Sequence, residues 1–324
     1  MSKIEILRIL EEKGESTVSE LTDFTLLSRQ MVHRILNDLA SENKVEKLGK
    51  APKTYYRLAK SQPRQNLIEL NHDAEDFLKK YFLLITETGQ RLEGLTALSH
   101  WCNRQKLPVA KTVDEFIATR KKYLKYFDPY GLINGMSKLE GTKAFEKIYL
   151  DAMYYFDFYA IEQFGKTRLG TLLHHAKQGQ NKKLILEIVE IIREPLHNFI
   201  GREKIEAVGF IPPTIQRNIQ FMKVMEKGLN LPLPHLSLKK ISGEFVVPQK
   251  ALSKIEDRIS NAQVSLMINE RKSYSRILLI DDALGSGATI NETAGKLKFK
   301  SIAKWIAGIA VTGSYKGFEV IQEV

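Results

Sequence analysis

Cysteine is nearly missing: Cys102 is the single one among 324 residues. One thiol closes no disulfide within a chain and builds no cysteine zinc site, so both staples are excluded. The sequence also has no long uncharged apolar run and no N-terminal apolar segment of the signal-peptide kind. Neither secretion nor a membrane partner is supported, and the reading is cytoplasmic. The seven histidines show no metal-ligand spacing, and His174-His175 reads as a helix surface or boundary. Positive charge is what the chain has in excess, with 49 Lys+Arg against 38 Asp+Glu, which suits an anionic partner. Its length gives room for two or three domains.

The most informative stretch is RILLIDDALGSGATIN, from Arg276 to Asn291. Ile277 to Ile280 have the continuous apolar character of a buried parallel strand. Asp281 and Asp282 follow, then small residues through Gly285, Ser286, Gly287 and Ala288, then Thr289, with a helical pattern from near Ile290. A Gly-rich turn between strand and helix lets backbone N–H groups close on an anion, and the helix N-terminus adds partial positive charge. Paired acids beside that cradle suit a ligand offering hydroxyls next to its phosphate, with a divalent cation to offset charge. A Rossmann-like strand, turn and helix with two exposed acids is the plainer alternative.

The run resembles the phosphoribosyl pyrophosphate (PRPP) motif of type I phosphoribosyltransferases. The resemblance implies that Asp281 and Asp282 hold ribose hydroxyls and that Ala283, Leu284, Gly285, Ser286, Gly287, Ala288 and Thr289 complete the loop around the 5′-phosphate. Mg²⁺ would arrive with PRPP, with no direct protein ligands.

At the other end, Ile4, Leu7, Ile9 and Leu10 mark a helix stopping near Gly14, and Ser16 or Thr17 can cap a second. Ser28 caps a third helix, which buries Met31, Val32, Ile35, Leu36 and Leu39. Val45–Leu48 and Thr54–Leu58 read as strands around a turn at 49–53. Three helices and a hairpin over residues 1–60 resemble a winged helix-turn-helix. The third helix would then enter the major groove of double-stranded DNA with Arg29, Gln30, His33 and Arg34, while Lys50 and Lys53 meet phosphates from the wing. From Ser28 to Lys60 there are eight Lys/Arg and three Asp/Glu, which places positive charge on those elements. A winged helix serving protein contacts is the alternative.

Residues 61–163 read as a helical connector. Apolar residues from Leu67 to Ile85 have helical spacing, a helix is expected over 113–127, and another over 143–163 carries the aromatic run Met153 to Tyr159. Rings all round a helix fit burial on two sides, as between domains or protomers, so this segment reads as a connector or as the surface of a homodimer. The basic and aromatic run Arg120 to Tyr126 reads as a solvated helix with buried stems and rings.

From 164 to 324 the pattern turns α/β. Helices over 168–175 and 183–192, the second broken at Pro195, precede an apolar strand at 207–211 and a helix opening at 214–218. Further strands are expected at 236–241, 264–268 and 302–311, with a short helix near 257–260 started by the Ser253–Glu256 capping box. The architecture is a mostly parallel, doubly wound sheet with ligands at the carboxyl ends of its strands. Gly170-Thr171-Leu172-Leu173-His174-His175-Ala176-Lys177, the Pro212-Pro213 turn with Arg217 and Asn218, and the order Gln249, Leu252, Arg258, Asn261 resemble the ComF family of phosphoribosyltransferases. That likeness implies pyrophosphate binding by Thr214 and Arg217 and a mobile loop over 249–261.

The chain departs from ComF proteins in lacking their four-cysteine zinc ribbon. It also has Gly285 where purine-salvage relatives carry a catalytic acid, and little sequence follows 302–311 for a base-binding hood. The domain order resembles the purine repressors of Gram-positive bacteria. Two functions are therefore in view: a transcriptional regulator whose phosphoribosyltransferase-like domain senses PRPP or a nucleotide, or an active phosphoribosyltransferase using Mg²⁺-PRPP. No catalytic residue is assigned. The missing base pocket favours sensing.

Overall fold

Thr17 and Ser28 begin helices in the computed structural model, which describes residues 2–42, 44–50, 53–59, 70–213, 215, 217–241 and 254–314. The chain divides into two compact units, Met1–Asn71 with Ile85–Arg91, and His72–Leu84 with Leu92–Val324. In the first, α1 (Ser2–Lys13) and β1 (Glu15–Ser16) lead to α2 (Val18–Thr25) and α3 (Arg29–Ser41), followed by β2 (Val45–Lys50) and β3 (Lys53–Leu58). Thr17 forms a reciprocal capping box with Glu20, and the Ser28 side chain accepts the Met31 N–H. The strands pair in the order β1-β3-β2. Ile6, Leu10, Leu21, Val32, Leu36, Leu39 and Tyr56 form the core. Met31, read above as buried, is 44% exposed; it lies one residue off the stripe of Val32, Ile35, Leu36 and Leu39.

The second unit opens with α4 (His72–Tyr81), β4 (Leu83–Ile85), β5 (Arg91–Glu93), α5 (Gly94–Gln105) and α6 (Val109–Leu124). Then come β6 (Ile133–Asn134), α7 (Met136–Glu140), β7 (Ala152–Phe158), β8 (Ala160–Ile161), β9 (Gly165–Lys166), α8 (Arg168–Gln178), α9 (Lys182–Arg202) and β10 (Ala207–Phe210). The remaining elements are α10 (Phe221–Leu229), β11 (Leu238–Lys240), α11 (Ile255–Ser265), β12 (Leu266–Ile268), β13 (Tyr274–Leu284), α12 (Ala288–Phe299) and β14 (Ala303–Gly313). β10, β13, β14 and β7 run parallel in that order, and β6 adds to β7 antiparallel, so the sheet is mixed.

Leu172 of α8, Ile188 of α9 and Met222 of α10 share a core with Leu278, Ile280, Ile309 and Val311. Alternation along β14 turns Gly308 to the other face, where Ile290 of α12 and Met153 of β7 fill the space a Cβ would need.

Several elements differ from the sequence reading. The helix expected over 143–163 is instead strand β7, so the middle region supplies part of the sheet. Aromatic residues suit strands as well as helices, and a strand buried on both faces has no alternation to betray it. The segment before it is pinned by Asn291 of α12, whose side chain accepts the Tyr149 N–H and donates to the Lys147 carbonyl. Pro195 does not break α9. The bond it removes would have gone to the carbonyl of Ile191, a 43% exposed residue on the solvent side of the helix. The helix expected to open at 214–218 begins at Phe221, and the short helix near 257–260 extends from Ile255 to Ser265. β11 and β12 form an antiparallel pair of their own. Ser253 and the 249–253 part of the expected mobile loop lie outside the described residues.

Candidate functional site

Because four strands of the sheet are parallel, their carboxyl ends share one edge: Asp157 of β7, Ile211 after β10, Asp281 to Leu284 of β13 and Thr312 of β14. β13 continues through both acids to Leu284. Gly287 then takes φ +77° as the N-cap of α12, a conformation that favours glycine. A Cβ there would also lie 2.2 Å from Leu139 Cδ2. Ser286 Oγ accepts the Ala288 N–H at 3.3 Å, so the first turn of α12 faces the loop that leaves the acids. Ser286, Gly287 and Ala288 are buried; Asp281, Asp282, Ala283, Gly285 and Thr289 are half-buried.

The two acids are held differently. Asp281 accepts the backbone N–H of Asp282 at 2.7 Å. Its carboxyl is nevertheless pushed up to about 7, first by burial and then by the charge of Asp282, against the pull of Lys177 and Lys240. Asp282 is paired directly, with its Oδ2 2.7 Å from Lys177 Nζ at the end of α8.

The backbone of Lys177 is used as well. Its carbonyl accepts a hydrogen bond from the Arg217 guanidinium, and the Gln180 side chain accepts the Ile219 N–H at 3.0 Å. The turn after α8 thereby ties the segment following β10 to the acids of β13. On the other side, Lys138 of α7 donates to the carbonyl of Leu284 at 3.2 Å and to Ser314, and burial holds its ammonium down to about 8. Burial likewise lowers Lys240, opposed by Asp281. The two carboxylates thus have Lys177 and Lys240 as their cations, with Arg217 on the Lys177 carbonyl and Lys138 on the loop carbonyl of Leu284, a set suited to an anionic ligand that also carries hydroxyls.

A resident metal ion does not fit this donor set. Among the described residues no group of three or more His, Cys, Asp or Glu side chains could hold one, and Asp282 already has an ammonium at hydrogen-bond distance.

The structure brings together Asp281, Asp282, the 283–289 loop and Arg217; Thr214 lies outside the described residues. Arg258 and Asn261 are on α11. In the first unit Arg29, Gln30, His33 and Arg34 are exposed on α3, with Lys50 and Lys53 paired at the ends of β2 and β3. Sequence reasoning misses Lys138 and Lys240, and it names Lys177 only as the end of a family-like run, with no role. A lysine closing an amphipathic helix, as Lys177 does, reads as a partner of the helix dipole. The other two stand on a five-residue helix and a three-residue strand, with no pattern to mark them. His174 meets the Tyr159 hydroxyl at 3.2 Å through Nδ1, in keeping with a structural place on α8.

Residues 2–46 match the family described as winged helix-turn-helix DNA-binding. No curated protein matches the chain. Among solved structures, a hypoxanthine phosphoribosyltransferase from Staphylococcus aureus is similar at 13% identity, over 40% of this chain and 75% of its own. Its TM-score is 0.23, too low to carry an argument. The N-terminal segment of this chain is thus a winged helix-turn-helix, and the second unit holds a mixed sheet with a polar carboxyl edge.

Proposed function

We propose that the chain is a transcriptional regulator that binds double-stranded DNA through its winged helix and PRPP or a nucleotide, as effector, through a phosphoribosyltransferase-like domain. The observation that carries the second half is the placement of Asp281 and Asp282 at the carboxyl end of β13, directly before a loop capped by Gly287 at the start of α12. Carboxylates for hydroxyls and a helix start for phosphate lie in series, with Arg217 and Lys177 beside them. The exposed Arg29, Gln30, His33 and Arg34 on α3 support the first half. Linkage would join them: an effector favouring one arrangement of the protein changes DNA affinity by its differential binding free energy.

In calorimetry with Mg²⁺-PRPP and nucleoside monophosphates, Asp281→Asn with Asp282→Asn is expected to abolish PRPP binding while the circular dichroism spectrum stays unchanged. Unaltered affinity in the folded double variant would remove the assignment. Turnover of PRPP with a nucleobase would favour the enzyme instead of the sensor.

On DNA, Arg29→Ala or Gln30→Ala should relax preference at one base pair by about 1–3 kcal/mol. Lys50→Ala with Lys53→Ala should weaken binding to every sequence and flatten its salt dependence. Band-shift titrations over a range of salt separate the two effects, and a full chain that binds no duplex at low salt would make the winged helix a protein-contact module.

A further inference from the structure

Lys177 is the residue at which the two halves of the carboxyl edge meet. Its ammonium lies 2.7 Å from Asp282 Oδ2, and both side chains are about a quarter exposed, at 26% and 23%. Its own carbonyl holds the guanidinium of Arg217. Asp281 feels Lys177 and Lys240 together. A ligand hydroxyl seated on Asp282 therefore has to displace an ammonium from the carboxylate it approaches. A displaced ammonium stays on the last turn of α8, on the residue whose carbonyl holds Arg217.

We propose that Lys177 is a latch on this site. In the ligand-free protein its ammonium occupies Asp282. On binding, the ligand's hydroxyls take the carboxylate and Lys177 moves onto the second anionic group of the ligand, next to Arg217. The inference rests on the effector reading given above, and it adds a competitor built into the site. It also supplies a route by which occupancy reaches the segment after β10, because the same residue holds Arg217 through its backbone. A ligand with a phosphate at one end only would pay for displacing Lys177 and gain nothing from it afterwards.

The consequence is a crossing of signs between two ligands. In the full chain, Lys177→Gln should weaken Mg²⁺-PRPP binding by about tenfold or more, the cost of a lost charge-assisted hydrogen bond. The same variant should bind ribose 5-phosphate, which lacks the second anion, more tightly than the native protein. Calorimetry measures the first, and competition against PRPP measures the second. Lys177→Arg should hold PRPP affinity close to native and keep ribose 5-phosphate weak.

Parallel weakening of both ligands would show ordinary electrostatic attraction and overturn the latch, as would unchanged PRPP affinity in Lys177→Gln. Ribose 5-phosphate that competes no better in the variant than in the native chain overturns it too. A native protein that binds neither of these ligands nor any nucleoside monophosphate removes the effector reading itself, and a native protein that binds PRPP leaves that reading standing whatever Lys177 does.

Discussion

Arg120→Ala is expected to lower the stability of the second unit, His72–Leu84 with Leu92–Val324, by about 3–5 kcal/mol, because it leaves a buried carboxylate without its partner. Arg120 is 3% exposed and Asp157 7%. The guanidinium meets both carboxylate oxygens at 2.8 Å and lies over the ring of Tyr81, 4.7 Å from its centroid. Asp157 also accepts the Phe158 N–H at 2.8 Å. Burial pushes the Asp157 carboxyl up even with Arg120 beside it. Denaturant unfolding should show the transition of this unit moving while that of the winged helix stays in place. Arg120→Met combined with Asp157→Leu should recover most of the loss, since a buried ion pair is often no better than apolar residues of similar size. A single variant within 1 kcal/mol of native, an order-of-magnitude threshold for a surface pair, would show that the pair is solvated in solution.

The second large effect is expected at Gly170. A Cβ there would lie 2.0 Å from the carbonyl oxygen of Tyr159, and that atom belongs to backbone. The same oxygen accepts the Thr167 N–H at 3.0 Å, and the Thr167 side chain caps α8 through the Gly170 N–H. Gly170→Ala must therefore lift the start of α8 away from the end of β7. Overpacking of this kind costs about 1–3 kcal/mol, and more where backbone cannot yield. Because Lys177 and its carbonyl sit on the last turn of the same helix, PRPP affinity should fall together with stability. Gly201→Ala in α9 is the control, since nothing lies within 4 Å of its Cβ position. It should gain up to about 1 kcal/mol of helix stability. Equal melting temperatures for Gly170→Ala and the native chain would show that α8 seats differently in solution.

What the sequence discloses and what it hides follow from the range of each interaction. The winged helix is legible because its signals are local: Thr17 with Glu20, Ser28 with Met31, and a stripe of apolar residues at helical spacing. The strand, acids and turn from Ile277 to Gly287 are legible for the same reason. β7 is not, because Ala152 to Phe158 become a strand through pairing with β14, some 150 residues away, and through a clamp from Asn291. Arg120 reads as one more cation in a basic run until the fold sets Asp157 against it. The cations beside Asp281 and Asp282 come from α8 and β11, which only tertiary structure assembles.

The flanks of the five-stranded sheet carry contacts of their own. β6 is two residues long, and on the opposite side both backbone groups of Val208 are already engaged, its N–H by Pro234 and its carbonyl by Leu236. Among the described residues these contacts occupy part of each flank, which shortens the row of amides and carbonyls a neighbouring strand could use. Substitutions at the flanks of this sheet that keep the Val208 contacts and the β6–β7 pairing should therefore leave the five-strand order intact.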